Sequence, residues 1–239
     1  MADSTLSSFP PGGLAVVAGA AGGIGAAFMR ALRSEAGLAS VDGFSRSSAP
    51  SLDFTDEHSV ARCAAHAASL GLKLRLVVAA TGFLHGGGFA PEKALRQLDP
   101  AHMAKSFAVN AIGPALLMKY FLPLLPRQGK AVFAALSAKV GSIGDNHLGG
   151  WHSYRASKAA LNQLVHTASI ELKLRRPEAI CVALHPGTVD TGLSAPFARA
   201  GLTMQSADVA AQALLAVIDR LTPADSGGFF DYTGARLPW

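Results

Sequence analysis

The sequence predicts a doubly wound α/β fold of the Rossmann type, a parallel sheet flanked by helices on both faces in a single domain. Three observations carry that expectation. Apolar runs of strand length alternate with longer stretches of helical period along the whole chain. The strand runs, LRLVVAA among them, are continuously apolar and so need cover on both faces. The first strand also runs straight into a glycine-rich turn that opens a helix. Half of the 239 residues are apolar and 15% are charged, which provides a core and excludes a disordered chain. No repeat, low-complexity linker or composition break divides the chain, so residues 1–239 are expected to form one domain.

Taken in order, a strand at 14–18 leads into AGAAGGIG and a helix over 24–35. Gly19, Gly23 and Gly25, with Ile24 in the same turn, let the chain reverse tightly and bring bare backbone N–H groups to a pyrophosphate. Such a turn is weak evidence alone; its place at the first strand-to-helix junction favours a dinucleotide site. A second strand at 40–45 ends in GFSRSS. An acid here would hold a ribose 2′-hydroxyl and an arginine a 2′-phosphate, so Ser45 and Arg46 point to NADP(H), with Asp42 the competing ribose ligand. Asp53, Phe54 and Thr55 precede a helix expected over 56–69, and Asp53 reads either as an adenine-edge contact or as a helix cap. A third strand at 74–80 runs through Ala80 into Thr81 and Gly82, followed by an irregular stretch over 82–93. One long helix is expected over 100–125 and a strand over 131–136. The Gly-rich stretch at 142–152 also follows a strand, where ligands sit in this architecture. The helix over 153–175 carries YRASK, whose Tyr154 and Lys158 are four apart and share one face. A cation near a phenol lowers its pKa from about 10 and makes it a general acid or base. A strand at 179–185, a helix at 207–221 and a strand at 228–232 complete the pattern.

In order and spacing these motifs resemble the short-chain dehydrogenase/reductase family over nearly the whole chain. The glycine turn is similar to TGxxxGIG, AATG stands where NNAG is usual, VNAIGP supplies Asn110, YRASK matches YxxxK, and HPGTVDT matches the segment after the sixth strand of that family. The phrases GSIGDN, YRASKAALNQL and GTVDTGLSAPF resemble the C-factor-like branch. The resemblance implies an NADP(H)-dependent oxidoreductase that moves hydride between nicotinamide and a carbonyl or alcohol. Tyr154 would exchange the proton, Lys158 would tune it and bind the nicotinamide ribose, and Asn110 would hold the helix and a relay water. Ala80, Thr81 and Gly82 would flank the cofactor, and Pro186, Gly187, Thr188, Val189 and Thr191 would contact the carboxamide. Residues 190–206 would form a lid, with Trp151 and Phe83 as walls. Ala18 replaces the usual threonine, and Ala138 stands where the carbonyl-polarising serine belongs, so Ser137 or Ser142 substitutes or the oxyanion is held less well. That departure keeps open an alternative, a signalling or structural member that binds nucleotide with little turnover. Family members are commonly dimers or tetramers, and the helices of Asn110 and Tyr154 are the expected contact faces.

Other chemistries lack support. The net charge of +5 is spread over single residues, with Arg175-Arg176 the only adjacent basic pair, so no nucleic-acid partner is expected. The uncharged stretch 12–29 contains six glycines, too many for a membrane span. Cys63 and Cys181 are far apart and suit a reducing, cytoplasmic setting. Eight histidines without HExxH or a ligand-spaced cluster give no metal site. ADSGG at 224–228 lacks the glycine that a hydrolase nucleophile loop needs before it.

Overall fold

The computed structural model describes residues 5–197 and 204–239. Its elements are β1 (Gly13–Ala18), α1 (Gly23–Arg33), β2 (Leu38–Phe44), α2 (Glu57–Ser69), β3 (Leu74–Ala79), α3 (Pro100–Phe107), α4 (Gly113–Phe121), β4 (Ala131–Leu136), α5 (His152–Arg175), β5 (Ala179–His185), α6 (Ala207–Arg220) and β6 (Phe229–Asp231). All strand pairs are parallel and the order is β2-β1-β3-β4-β5-β6. The sheet separates two apolar layers because successive side chains of a strand point to opposite faces. Ala131, Phe133 and Ala135 join the layer under α2, α4 and α5, whereas Val132, Ala134 and Leu136 join the layer under α1 and α6. The expected fold is the observed one.

Consecutive strands diverge to opposite sides of β1, so the topological switch point opens above the carboxyl ends of β1 and β3. Compared with the usual doubly wound order of 3-2-1-4-5-6, one strand is absent beyond β2 and one is added beyond β5. The chain passes from β2 into α2 through residues 45–56 alone, and β2 is the half-exposed edge.

The long helix expected over 100–125 is one continuous helical run, Pro100–Leu124, made of four segments. Between α3 and α4 the turn Ala108–Ile112 is a π-helix in which the Gly113 N–H reaches the Ala108 carbonyl, five residues back. Pro114 is the physical reason: it has no N–H for the Asn110 carbonyl and its ring crowds that oxygen, so the ladder widens there. A 3₁₀ turn, Leu122–Leu124, ends the run. Pro100–Leu124 is long and apolar enough to cross a membrane. It instead buries Leu117, Met118 and Phe121 against the sheet.

Candidate active site

The glycine turn is built by close approach. Gly19 has φ +91°, and a Cβ there would lie 2.7 Å from the Ala80 carbonyl oxygen and from Thr81 Cγ2. Its N–H donates to the Phe44 carbonyl at 2.8 Å, and the Ala80 N–H donates to that of Ala18 at 2.8 Å. A Cβ on Gly25 would fall 2.1 Å from the Gly19 oxygen, and one on Gly23 would meet Thr191 Cγ2 at 2.8 Å. The ends of β1 and β3 and the loop after β5 therefore converge on one cleft. No side chain caps α1, whose N-cap is Gly22, so the first-turn N–H groups, with Ile24 among them, point to the cleft uncapped. The Thr81 hydroxyl is buried at the same place with no hydrogen-bond partner among the described residues.

At the end of β2, Ser45 closes a hydroxyl turn with Ser47 and Ser48. Arg46 is exposed and has no ion-pair partner among the described residues. Asp42 is paired instead with His66 of α2 (3.2 Å). Asp53 accepts from the Thr55 N–H and hydroxyl at 2.8 and 2.7 Å. These bonds hold its carboxyl below the usual range. Phe54 packs on Gly113 and the core, and Asp56 caps α2.

Tyr154 and Lys158 lie on the first two turns of α5, 7% and 2% exposed. The Lys158 ammonium sits 5.9 Å from the centre of the Tyr154 ring and donates to the Leu136 carbonyl at 2.8 Å. Burial pushes the Tyr154 phenol above its ordinary value and Lys158 down to about 7. The shift of the phenol is thus opposite to the expected lowering, with burial as its cause. Asn110, on the π turn, clamps the Phe83 peptide from both sides, accepting its N–H at 2.7 Å and donating to its carbonyl at 2.8 Å. It also donates to Ser157 (3.0 Å), whose hydroxyl donates to the Tyr154 carbonyl at 2.8 Å. A Cβ on Gly82 would point between Asn110 Oδ1 (3.7 Å), Leu193 Cδ2 (3.7 Å) and Lys158 Nζ (3.9 Å). The two helices and the end of β3 therefore face one small space.

A family model described as enoyl-(acyl carrier protein) reductase matches residues 17–220. The chain belongs to the short-chain dehydrogenase/reductase family. It is 41% identical over 147 residues to C-signal of Myxococcus xanthus, covering 61% of this chain and 84% of that protein. It is 32% identical over 190 residues to 1-hydroxy-2-glutathionyl-2-methyl-3-butene dehydrogenase of Rhodococcus sp. (strain AD45), covering 80% and 79%. The structure of NADPH-bound carbonyl reductase from chicken fatty liver aligns with a TM-score of 0.83 at 26% identity, over 95% of this chain and 100% of that one.

As a short-chain dehydrogenase/reductase the chain is an oxidoreductase, and its remaining site residues divide between those that meet and those that do not. The Ser137 hydroxyl donates to Asn162 Oδ1 at 2.6 Å inside the core, and Ser142 accepts from the Asp145 N–H at 3.1 Å. Neither is hydrogen-bonded to Tyr154, and Ala138 is half-exposed at the end of β4. After β5, Gln205 organises the segment: its side chain donates to the Pro186 carbonyl at 2.5 Å and its N–H to that of Thr188 at 3.0 Å. Gly187 turns under it, Val189 is buried, and Thr191 bonds Ser194. Phe197 of the expected lid meets the rings of Trp151 (5.2 Å) and His85 (5.4 Å). Residues 198–203 of that lid lie outside the described residues. Sequence reasoning missed Ser157, three after Tyr154 and so on the same helix face, and Gln205, which no local pattern marks.

Proposed function

We propose that this chain is an NADP(H)-dependent carbonyl reductase or alcohol dehydrogenase, and the observation that carries the proposal is Tyr154 beside Lys158 at the open end of the glycine-turn cleft. The cleft suits a dinucleotide phosphate: an uncapped helix N-terminus, a Gly23 face that a Cβ would fill against Thr191, and the orphaned Thr81 hydroxyl. Free Arg46, with Asp42 paired with His66, favours a 2′-phosphate over a bare ribose. Asp53, Phe54, Ala80, Gly82 and the Pro186–Thr191 segment would line the same cofactor. When bound, nicotinamide supplies or accepts the hydride.

The chain's own residues handle the proton. The Tyr154 phenol is protonated at neutral pH and is poised to donate to a carbonyl oxygen in reduction, or as phenolate to accept the alcohol proton in the reverse direction. Lys158, near neutrality in its pKa, holds the nicotinamide ribose or recharges the phenol. Asn110 and Ser157 fix the turn of α5 from which the phenol projects. Trp151 and Phe197 offer an aromatic wall to an apolar carbonyl compound. The buried free thiols of Cys63 and Cys181 suit a cytoplasmic enzyme.

The test is a fluorescence titration with NADPH and NADH, then a carbonyl-panel assay. NADPH is expected to bind more tightly, Arg46→Ala to erase most of that preference, and Tyr154→Phe to lower turnover by roughly 10²- to 10⁴-fold with NADPH binding retained. Unchanged turnover in Tyr154→Phe would overturn the mechanism. Ala138, the inward turn of Ser137 and the likeness to C-signal favour a second reading, a nucleotide-binding signalling protein. Tight NADPH binding with no reduction of any carbonyl would support it.

A further inference from the structure

A second polar cluster is buried beside the first. Glu92, in the loop between β3 and α3, and His102, on α3, have side chains 2% exposed, with His102 Nδ1 3.2 Å from Glu92 Oε1. The Ser153 N–H donates to Glu92 Oε2 at 3.2 Å, its hydroxyl donates to Oε1, and the Trp151 N–H donates to the Glu92 backbone carbonyl at 2.5 Å. Phe89 stacks on the His102 ring at 5.1 Å. A buried carboxylate is costly unless it is paired and hydrogen-bonded, and here both oxygens are engaged.

The cluster solves a problem at the start of α5. Its N-cap residue is Trp151, whose side chain has no acceptor for the first-turn N–H groups. Trp151 is also the one non-glycine residue with positive φ (51°) among those described, a strained conformation that its surroundings must enforce. Glu92 supplies both needs from another segment, the carboxylate as cap and the carbonyl as clamp on Trp151. Tyr154 lies between two tethered serines, Ser153 held by Glu92 and Ser157 held by Asn110, and both tethers return to the helical run that carries His102 and Asn110. The Trp151 ring meets the Tyr154 ring edge at 6.2 Å.

We infer that Glu92 is a positioning residue for Tyr154, fixing the first turn of α5, with the Trp151 wall of the substrate space, against the Asn110 segment. The inference rests on Tyr154 being the proton donor. Burial opposes the charge, yet the bonds from Ser153 and the neighbouring His102 outweigh it and leave the Glu92 carboxyl below its usual value.

Glu92→Gln tests this in two ways. In a Trp239→Phe background Trp151 is the only tryptophan. Glu92→Gln should then raise acrylamide quenching of its fluorescence, a readout that needs no substrate. In the NADPH-dependent carbonyl assay, Glu92→Gln should lower kcat by roughly 10- to 100-fold with the KM for NADPH little changed. The same substitution made in Tyr154→Phe should lower kcat no further, whereas a residue that merely supports the fold would act equally in both backgrounds. Should Glu92→Gln fail to fold, Ser153→Ala removes one hydroxyl and should act in the same direction with a smaller loss. Unchanged quenching with unchanged kcat, or an equal loss in Tyr154→Phe, overturns the inference. Wild-type protein without turnover refutes the proposed NADP(H)-dependent carbonyl chemistry instead, and the quenching arm then decides Glu92 alone.

Discussion

Ala138 is the residue at which this site departs most from the chemistry it otherwise supports. A donor aimed at a developing oxyanion is worth about 10² to 10³ in rate, and Ser137 cannot lend its hydroxyl while it donates to Asn162. Ala138→Ser is therefore expected to raise kcat for carbonyl reduction by at least about tenfold without tighter NADPH binding. Steady-state kinetics check this, and an unchanged kcat would show that another group already polarises the carbonyl. Strand parity explains why Ser137 turns inward. It continues the Ala131, Phe133, Ala135 face of β4, which lies under α5 and its Asn162. YRASK was legible from its spacing together with its place downstream of the glycine turn, but the sign of the Tyr154 shift was not, because burial depth is a property of the packed helix rather than of the motif. Lys158 gives a separate test. Unfolded, it stays protonated to about pH 10.5; folded, burial lowers it to about 7. Between pH 7 and 10 the unfolded state holds the extra proton, so stability rises with pH by at most about 1.4 kcal/mol per unit from this group. Below pH 7 both states are charged and the burial cost is constant; above pH 10 the raised Tyr154 acts with the opposite sign. Lys158→Met should therefore stabilise most at neutral pH, with its advantage in urea unfolding shrinking towards pH 10.

Elements with regular periods were read nearly to their ends: β4 spans 131–136 and β5 spans 179–185, as the apolar runs predict. The π turn was not legible, since VNAIGP keeps helical character while Pro114 changes only the hydrogen-bond ladder. That turn carries Asn110 to the Phe83 peptide, and so sets the distance between the end of β3 and α5. Gly82 sits at the meeting point. A methyl group there would touch Asn110, Leu193 and Lys158 at ordinary contact distance. Gly82→Ala is expected to fold with little change in Tm while weakening NADPH binding roughly tenfold, because it fills space that the backbone leaves for the cofactor. A thermal melt beside a fluorescence titration separates the two effects.

For the molecule as a whole, the apolar residues left outside the core are where a second copy is expected to bind. Ile170 and Leu174 lie one turn apart on α5 and are 59% and 82% exposed, and Ile112 on the π turn is 52% exposed. Light scattering is expected to give about twice the 24.6 kDa chain mass, and Leu174→Glu to halve it; a monomeric wild type would refute this. The doubly wound architecture was legible from strand and helix alternation, and so was the number of strands, because each of the six apolar runs became one strand of the sheet. Far from the cleft, at the amino ends of the strands, Arg75 is buried and donates through one nitrogen to the carbonyls of Gln128, Gly129 and Lys130 at 2.9, 3.0 and 3.2 Å, with no carboxylate in ion-pair range among the described residues. These acceptors carry no charge of their own, and the nearby Glu178 carboxylate, which accepts from the Gly129 N–H at 2.9 Å, favours the Arg75 charge. The amino pole of the sheet is thus held in part by a grip on neutral carbonyls, which has no acceptor that titrates over the range in which Lys158 at the opposite pole changes its charge.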